Sequence, residues 1–499
     1  MGRIAVIGAG MGAMAAAARL AVAGHRVVVF ERADGFGGAL GTVRRDGFAF
    51  DTGPGLLLLP AVWRDLFVKT GRTALEDVLE LAQVEPATRH VFADGTGVRL
   101  PNASRAGVTE ALDGALGTGR GARWAAFMNR ARDAWDRSRR PLLEEPLWPN
   151  WQVLAEKEPY PALERRRLLR RTETAATLAG IARLELDDEP RLRALLEGYA
   201  LEYGLDPRTA PASAAVLPYL EQTFGTWSVR GGLRALASAV HTRCEERGVE
   251  FRFGARAVRI VEKDGRAAGV ELADGTVQEA EFVVAGVPPS VLESLLPGVR
   301  ADGGVPPQSG LPSRVKLLLA LRGARPEGTA HRTVVHGADR DAELAALFGP
   351  ESGRGLPASP TVTVLRPGDP AQLPSPEHES VTVTATVPAS CEVSAEDVGR
   401  LLERAGRAVE GLAERLLWHE VLGPAEVERD TGAAGGAVPA PALAAAGGRL
   451  LHPANSTRLP GLFTVGGWSH PGGGLAHAGM SGALVAGLIV EGPEFRGST

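Results

Sequence analysis

Cysteine is almost missing from the 499 residues: Cys244 and Cys391 are the only two, far apart and in no C-x-x-C pair. That argues against a redox dithiol and a thiolate zinc centre, so no metal site is expected, and it suits a reducing cytoplasm. Lysine is scarce as well, four residues against 51 arginines. The bias looks like GC-rich coding and lowers the weight of any arginine cluster. No apolar run approaches the roughly 18 residues of a membrane-spanning helix. The opening Met1-Gly2-Arg3-Ile4-Ala5-Val6 lacks a signal-peptide pattern, and Val6 stands where myristoylation wants Ser or Thr. Neither sign of charge dominates: 55 Lys+Arg against 59 Asp+Glu leave a net charge of −4, which argues against a dedicated nucleic-acid binder. With 44% hydrophobic and 23% charged residues, overall disorder is excluded. The length allows a large core without covalent staples and suggests about three structural units.

What the chain has in excess is glycine, 63 residues, nearly twice the usual share of about 7%. The first cluster is Gly8-Ala9-Gly10-Met11-Gly12-Ala13, a G-x-G-x-x-G/A fingerprint between the strand-like Arg3–Ile7 and an Ala-rich helical stretch, Met11 to Ala23. Gly8 allows a tight turn, Gly10 lets the backbone approach a pyrophosphate, and Ala13 permits close helix–strand packing. Glu31 ends the next strand, Val27–Phe30, where a carboxylate accepts hydrogen bonds from ribose hydroxyls and favours FAD or NAD over NADP. Residues 104–223 read as mainly helical. From Arg230 the pattern returns to a helix (Leu233 to Arg247), two hairpin-like units turning at Asp264-Gly265 and Asp274-Gly275, and the apolar strand Phe282–Ala285. Ser394 with Asp397 forms a capping box for a helix reaching about Trp418. Residues 432–448 read as loop, and the end as strand, Gly-rich turn and helix. The order predicts an α/β fold: a discontinuous Rossmann-like unit with a parallel sheet, made of residues 1–98, 224–290 and 425–499. A mainly helical 99–223 and a mixed-sheet 291–424 supply an inserted α+β substrate domain.

After Glu31 come Phe36-Gly37-Gly38 and then Asp46-Gly47-Phe48-Ala49-Phe50-Asp51-Thr52-Gly53-Pro54. Here the chain resembles the phytoene desaturase family of FAD-dependent oxidoreductases, carotenoid desaturases and isomerases related to the amine oxidases. Gly225-Thr226-Trp227-Ser228-Val229-Arg230-Gly231-Gly232-Leu233 is similar to its segment ahead of a helix. Pro460 to Gly467 with Ser469-His470-Pro471-Gly472-Gly473-Gly474 is similar to its C-terminal flavin motif. The resemblance implies FAD as cofactor, with Arg32 and Ala39 joining Glu31, Gly37 and Gly38 in the contacting set. It implies Gly466 and Gly467 near the pyrophosphate, Leu475, Ala476 and His477 at the isoalloxazine, Val258 at the adenine, and Pro54 and Gly55 near the ring. No second fingerprint follows, so no separate NAD(P)H domain is expected.

The implied reaction removes hydride from a lipophilic, isoprenoid or polyene-like substrate to form a C=C bond, with oxygen or a quinone as electron acceptor. A polyene isomerase or saturase, an FAD amine oxidase, and a non-enzymatic prenyl-binding escort protein are the alternatives. Two departures stand out. His477 follows Ala476 where the family commonly has Pro-Gly, which makes it the catalytic candidate, since an imidazole can act as acid or base near neutral pH. His452-Pro453 replaces an Arg-Pro. Trp124, Trp135, Trp148 and Trp151, near Arg165-Arg166-Arg167 and Arg170-Arg171, leave two readings open: an interfacial surface in peripheral contact with the inner face of the cell membrane, or core tryptophans beside a solvated charged face.

Overall fold

The computed structural model describes residues 2–147, 151–166, 170–301, 310–349, 352 and 355–497. The apolar runs that bracket the glycine fingerprint become the middle of a sheet. Strands β1 (Arg3–Ile7), β2 (Arg26–Phe30), β3 (Glu250–Arg252), β4 (Phe282–Ala285) and β5 (Leu462–Thr464) pair in the order β3-β2-β1-β4-β5, parallel throughout. Parallel sheets are covered on both faces, which explains why Ile4–Ile7 is apolar at every position and buried. Helix α1 (Met11–Val22) packs between α2 (Leu233–Glu246) and α3 (Leu475–Val490). It has no polar face to spare: Met11 and Ala13–Ala18 are all buried, so the helix is small and apolar nearly all round. An antiparallel meander, Ala257–Lys263, Arg266–Leu272 and Val277–Glu279, covers the opposite face. Its first turn has φ of 53° at Asp264 and 72° at Gly265, as a two-residue hairpin of this composition requires.

The second large element is a seven-stranded sheet. Its order is Leu416–Leu422, Ser313–Arg322, His378–Val387, Val362–Leu365, Arg332–Val335, Thr88–Val91 and Gly97–Leu100. All pairings are antiparallel except that of Arg332–Val335 with Thr88–Val91. Thr88–Leu100 therefore pairs with this sheet although the sequence placed it before the break at residue 98. The helices Arg105–Leu116, Arg120–Arg139, Leu178–Glu185, Pro190–Glu202 and Val216–Phe224 share one apolar core.

One sequence expectation fails for an identifiable reason. The Ser394–Asp397 capping box is present, but its helix stops at Gly406. Gly411 takes φ of 62°, and after a single turn Leu416–Leu422 pairs with Ser313–Arg322, so Trp418 sits in a strand. Of the four clustered tryptophans, the two on the long helix Arg120–Arg139 take the core reading. Trp124, 1% exposed, donates Nε1–H to Gln222 Oε1 and packs on Phe127, and Trp135 is buried too. Trp151 is half-buried and lies against Gly448. Trp148 and Arg167, with the side chains of Arg165, Arg166, Arg170 and Arg171, lie outside the described residues. No helix among the described residues is long and apolar enough to cross a membrane.

Candidate functional site

Two bare stretches of backbone meet at the carboxyl ends of β1 and β5. Gly8 adopts φ of 91° and donates its N–H to the Phe30 carbonyl at 2.8 Å, which folds the chain back sharply out of β1. Gly10 then caps α1. A Cβ added to Gly10 would meet nothing within 4 Å, and the same holds for Gly466, whose φ is 101°. Gly12 is different: its Cβ would lie 2.8 Å from Gly466 Cα and 2.9 Å from the Ala478 carbonyl oxygen. Gly12 thus presses the first turn and α1 against the last turn and α3, while Gly10 and Gly466 leave their outer sides open. The helix role assigned to Ala13 is also met, since its methyl packs under Gly286. The first N–H groups of α1 have no intrahelical acceptor and face this cleft with the positive end of the helix, an arrangement suited to a pyrophosphate.

Glu31 lies beside the turn. Its carboxylate accepts from Ala9 N–H at 2.7 Å and from Ala33 N–H at 2.9 Å, and each oxygen keeps a lone pair for a ribose hydroxyl. The Gly37-Gly38-Ala39 loop is laced to the fingerprint: Gly37 N–H donates to the Ala9 carbonyl at 2.8 Å, and a Cβ on Gly38 would reach Gly10 Cα at 3.2 Å. Ala39 accepts from the Thr52 hydroxyl. Val258 falls in a bulge, because the ladder pairs Ala257 with Leu272 and Arg259 with Glu271 and skips it. Its backbone is therefore free of strand pairing, as an adenine contact through the main chain would need. Arg32 points away, donating to the Arg429 carbonyl at 2.6 Å. Gly467 is crowded by Pro439, 3.1 Å from its would-be Cβ, so Gly466 alone of that pair has an open side.

The Asp46–Pro54 run shapes the other end of the cleft. Phe48 and Phe50 bury against Leu318, Ala320 and Trp418 of the large sheet. Asp51 caps α2, accepting from Leu233 N–H at 2.8 Å, and burial raises its pKa against those hydrogen bonds. Gly232 is glycine because a Cβ there would lie 2.6 Å from both Asp51 oxygens. Next to Asp51 stands Lys316, which sequence reasoning missed. Its ammonium donates to the Gly53 carbonyl, and burial lowers its pKa to about 8 against the opposing pull of Asp51. The only sequence signal was a lone lysine opening the apolar run Leu317–Leu321 of its strand. Beyond Gly53 and Gly55 a cavity of about 630 Å³ opens between this turn and the large sheet.

At the start of α3, Leu475 is half-buried, Ala476 is buried, and His477 is half-buried with its Nδ1 3.2 Å from the Cβ position of Gly474. The His477 ring makes no hydrogen bond among the described residues. Burial, helped by nearby His452, lowers its pKa to about 4, so the imidazole is neutral at pH 7. His452 and His470 have structural partners: His452 Nε2 lies 2.7 Å from the Ala440 carbonyl and His470 Nε2 2.9 Å from that of Glu145. Two further residues outside the sequence reading hold the last turn. Ser481 Oγ accepts from Gly466 N–H and from Asn455 Nδ2, both at 3.0 Å.

A parallel sheet bearing a bare-backbone cleft at its carboxyl ends, an acid closing the second strand and a second, mostly antiparallel sheet across a cavity define a dinucleotide-dependent oxidoreductase. Residues 14–354 match the family of flavin containing amine oxidoreductases. The 4,4'-diapolycopene oxygenase of Methylomonas sp is 30% identical, with 98% of each chain covered. The hydroxyneurosporene desaturase of Rhodobacter capsulatus is also 30% identical, over 97% of this chain and 96% of its own. An oxidoreductase from Methanosarcina mazei shares the fold, with a TM-score of 0.64 at 17% identity over 97% and 99% of the two chains. The chain belongs to the flavin containing amine oxidoreductases, and within them to the phytoene desaturase-like enzymes. Its cofactor is FAD, which the open sides of Gly10 and Gly466 fit. The non-enzymatic escort reading is thereby set aside.

Proposed function

We propose that the enzyme oxidises a polyene, removing two hydrogens to form a C=C bond in conjugation with those already present. The full-length likeness to two enzymes named for carotenoid oxidation carries this reading. FAD supplies the two-electron acceptor. Gly8, Gly10, Gly12 and Gly466 hold its pyrophosphate by backbone, Glu31 its ribose and Val258 its adenine. Gly37, Gly38 and Ala39 brace the turn, and Pro54, Gly55, Leu475, Ala476 and His477 border its ring. Lys316 fixes the Gly53 carbonyl and so the height of the turn beneath the substrate. The neutral, unpartnered imidazole of His477 accepts the proton that leaves the neighbouring carbon. Reoxidation uses oxygen or a quinone. A polyene is insoluble in water, so the substrate is collected at the surface of a membrane; that solubility argument, and no tryptophan, supports peripheral contact.

The test is anaerobic. Mixing the holoenzyme with an acyclic isoprenoid polyene bleaches the flavin, and mixing it with a primary amine such as putrescine does not. In His477→Ala the bleaching slows by about 100-fold with flavin content retained. Bleaching by amines alone overturns the reading.

Lys316 also gives a pH dependence of stability. Its folded pKa, about 8, lies below the ordinary lysine value of 10.5. The unfolded chain therefore binds more protons between those values, and stability rises with pH across that window. In urea titrations at pH 7.5 to 10, about the span concerned, wild type gains stability relative to Lys316→Met. A constant difference between the two would show that the ammonium is not strained by burial.

A further inference from the structure

Gly37 and Gly38 adopt φ of 101° and 58°, and a loop built on two left-handed glycines does not hold its shape unaided. One side chain from the middle of the sequence clips its two ends together. Arg234, the second residue of α2, donates from Nη1 to the Phe36 carbonyl and, at 3.1 Å, to the Leu40 carbonyl. Those two residues flank Gly37-Gly38-Ala39. The guanidinium stands so close that a Cβ on Gly37 would lie 2.7 Å from Nη1. Its central carbon is 4.1 Å from the centre of the Phe36 ring. His241, seven residues further along α2 and so about two turns away, stacks on the same ring at 4.1 Å and 11°.

Arg234 is half-buried, and no carboxylate pairs with its side chain among the described residues. Its charge is met by the two loop carbonyls and the ring of Phe36. Hydrogen bonds from a cation are stronger than neutral ones, so these bonds hold the loop more firmly than a backbone pair would. The loop in turn rests on the fingerprint. Gly37 and Gly10 form a parallel bridge, and the Cβ position of Gly38 is 3.2 Å from Gly10 Cα. The position of the loop therefore decides how much room the open side of Gly10 leaves for a pyrophosphate. The same residue is anchored at the far end of the cleft, because the Arg234 and Leu233 N–H groups both donate to the Asp51 carboxylate.

We propose that Arg234 is a positioning residue for the cofactor: through the Phe36 and Leu40 carbonyls it sets the Gly37–Ala39 loop against Gly10. It thereby fixes the half of the cleft that takes the adenosine diphosphate part of FAD. The proposal rests on the placement of pyrophosphate and ribose at Gly10 and Glu31 given above, and it adds a residue that acts on them through the loop.

The test separates the two halves of the cofactor. Holoenzymes are stripped of flavin, and recovery of colour at saturating FAD shows that each apoenzyme is intact. Calorimetry then follows FAD, ADP, which has the adenosine diphosphate half alone, and riboflavin, which has the ring alone. In Arg234→Met, FAD and ADP are expected to bind about 20-fold more weakly, the loss of charged hydrogen bonds to the loop, while riboflavin binds as it does to wild type. Arg234→Lys keeps a charged donor and recovers part of that loss. A merely structural role would weaken all three ligands alike or none, and either result overturns the proposal, as does a lysine variant no better than the methionine one. Should Arg234→Met fail to fold, Phe36→Leu is the second probe and must weaken ADP while sparing riboflavin. If Glu31→Gln binds ADP like wild type, the ribose assignment falls, and the ratio of ADP to riboflavin affinity in Arg234→Met still decides the role of Arg234.

Discussion

Gly10→Val yields a folded protein that purifies without its yellow colour, while Gly12→Val yields one that is poorly folded. The two glycines are two residues apart in one fingerprint, and the opposite outcomes follow from what surrounds them. At Gly10 the backbone has φ of −73°, which any residue adopts, and a side chain there meets nothing within 4 Å. Valine costs the apoprotein at most about 1 kcal/mol of helix-cap preference. It occupies the cleft where the pyrophosphate must approach the main chain, so flavin content falls below about a tenth of wild type. At Gly12 the obstructing atoms are Gly466 Cα and the Ala478 carbonyl, both backbone, which no rotamer change relieves. Overpacking of this kind costs about 1–3 kcal/mol or more and separates α1 from α3. Thermal unfolding of the flavin-free proteins and flavin absorbance per chain distinguish the two. Loss of stability in Gly10→Val would show that its open side is not a ligand site.

The second large effect is far from the cleft. Glu379, 0% exposed, accepts from Arg366 through both oxygens, at 2.7 and 2.9 Å, and from Arg415 at 2.7 Å. Arg366 in turn donates to the Ala408 carbonyl, tying the sheet to the turn that follows the helix Ala395–Gly406. Glu379→Ala leaves two guanidinium groups facing each other without a counter-charge. Breaking one partner of a buried pair costs about 3–5 kcal/mol, because the residual charge stays desolvated. Urea unfolding of Glu379→Ala is expected to show a loss of that size, or no folded protein at all. Glu279→Ala, which breaks the exposed pair with Arg3, leaves the midpoint within error. Similar midpoints for the two variants would mean that the Glu379 cluster is hydrated.

What could be read from the residues follows the range of the interactions. The fingerprint turn, Glu31 and the hairpins are settled within about 30 residues of chain, and the structure forms them where the pattern predicts. The Ser394–Asp397 box likewise gives the start of its helix. Its end was misplaced because the alternation from Leu416 on acquires meaning only from the neighbouring strand. Asp51 looked like one letter of a family run; that it caps a helix 182 residues away appears only in three dimensions. Lys316 was overlooked for the same reason, since a single lysine beside an apolar run acquires a meaning only when Gly53 and Asp51 stand beside it. The tryptophans were open to two readings. Trp124 and Trp135 sit on the buried face of one helix, where an aromatic suits a core as well as it would suit an interface.

The five-stranded sheet draws β1 and β2 from one end of the chain, β3 and β4 from its middle and β5 from the other end. Gly466 and α3, which complete the cleft, leave the ribosome after every strand of that sheet. Through most of synthesis α1 has no α3 to cover it, and its alanine face is exposed apolar surface of the kind that chaperones shield and proteases find. The cofactor site therefore closes only after α3 has been made. A flavin-bound molecule is one in which synthesis has passed α3, and the pool of coloured protein in a cell counts chains that have passed that check.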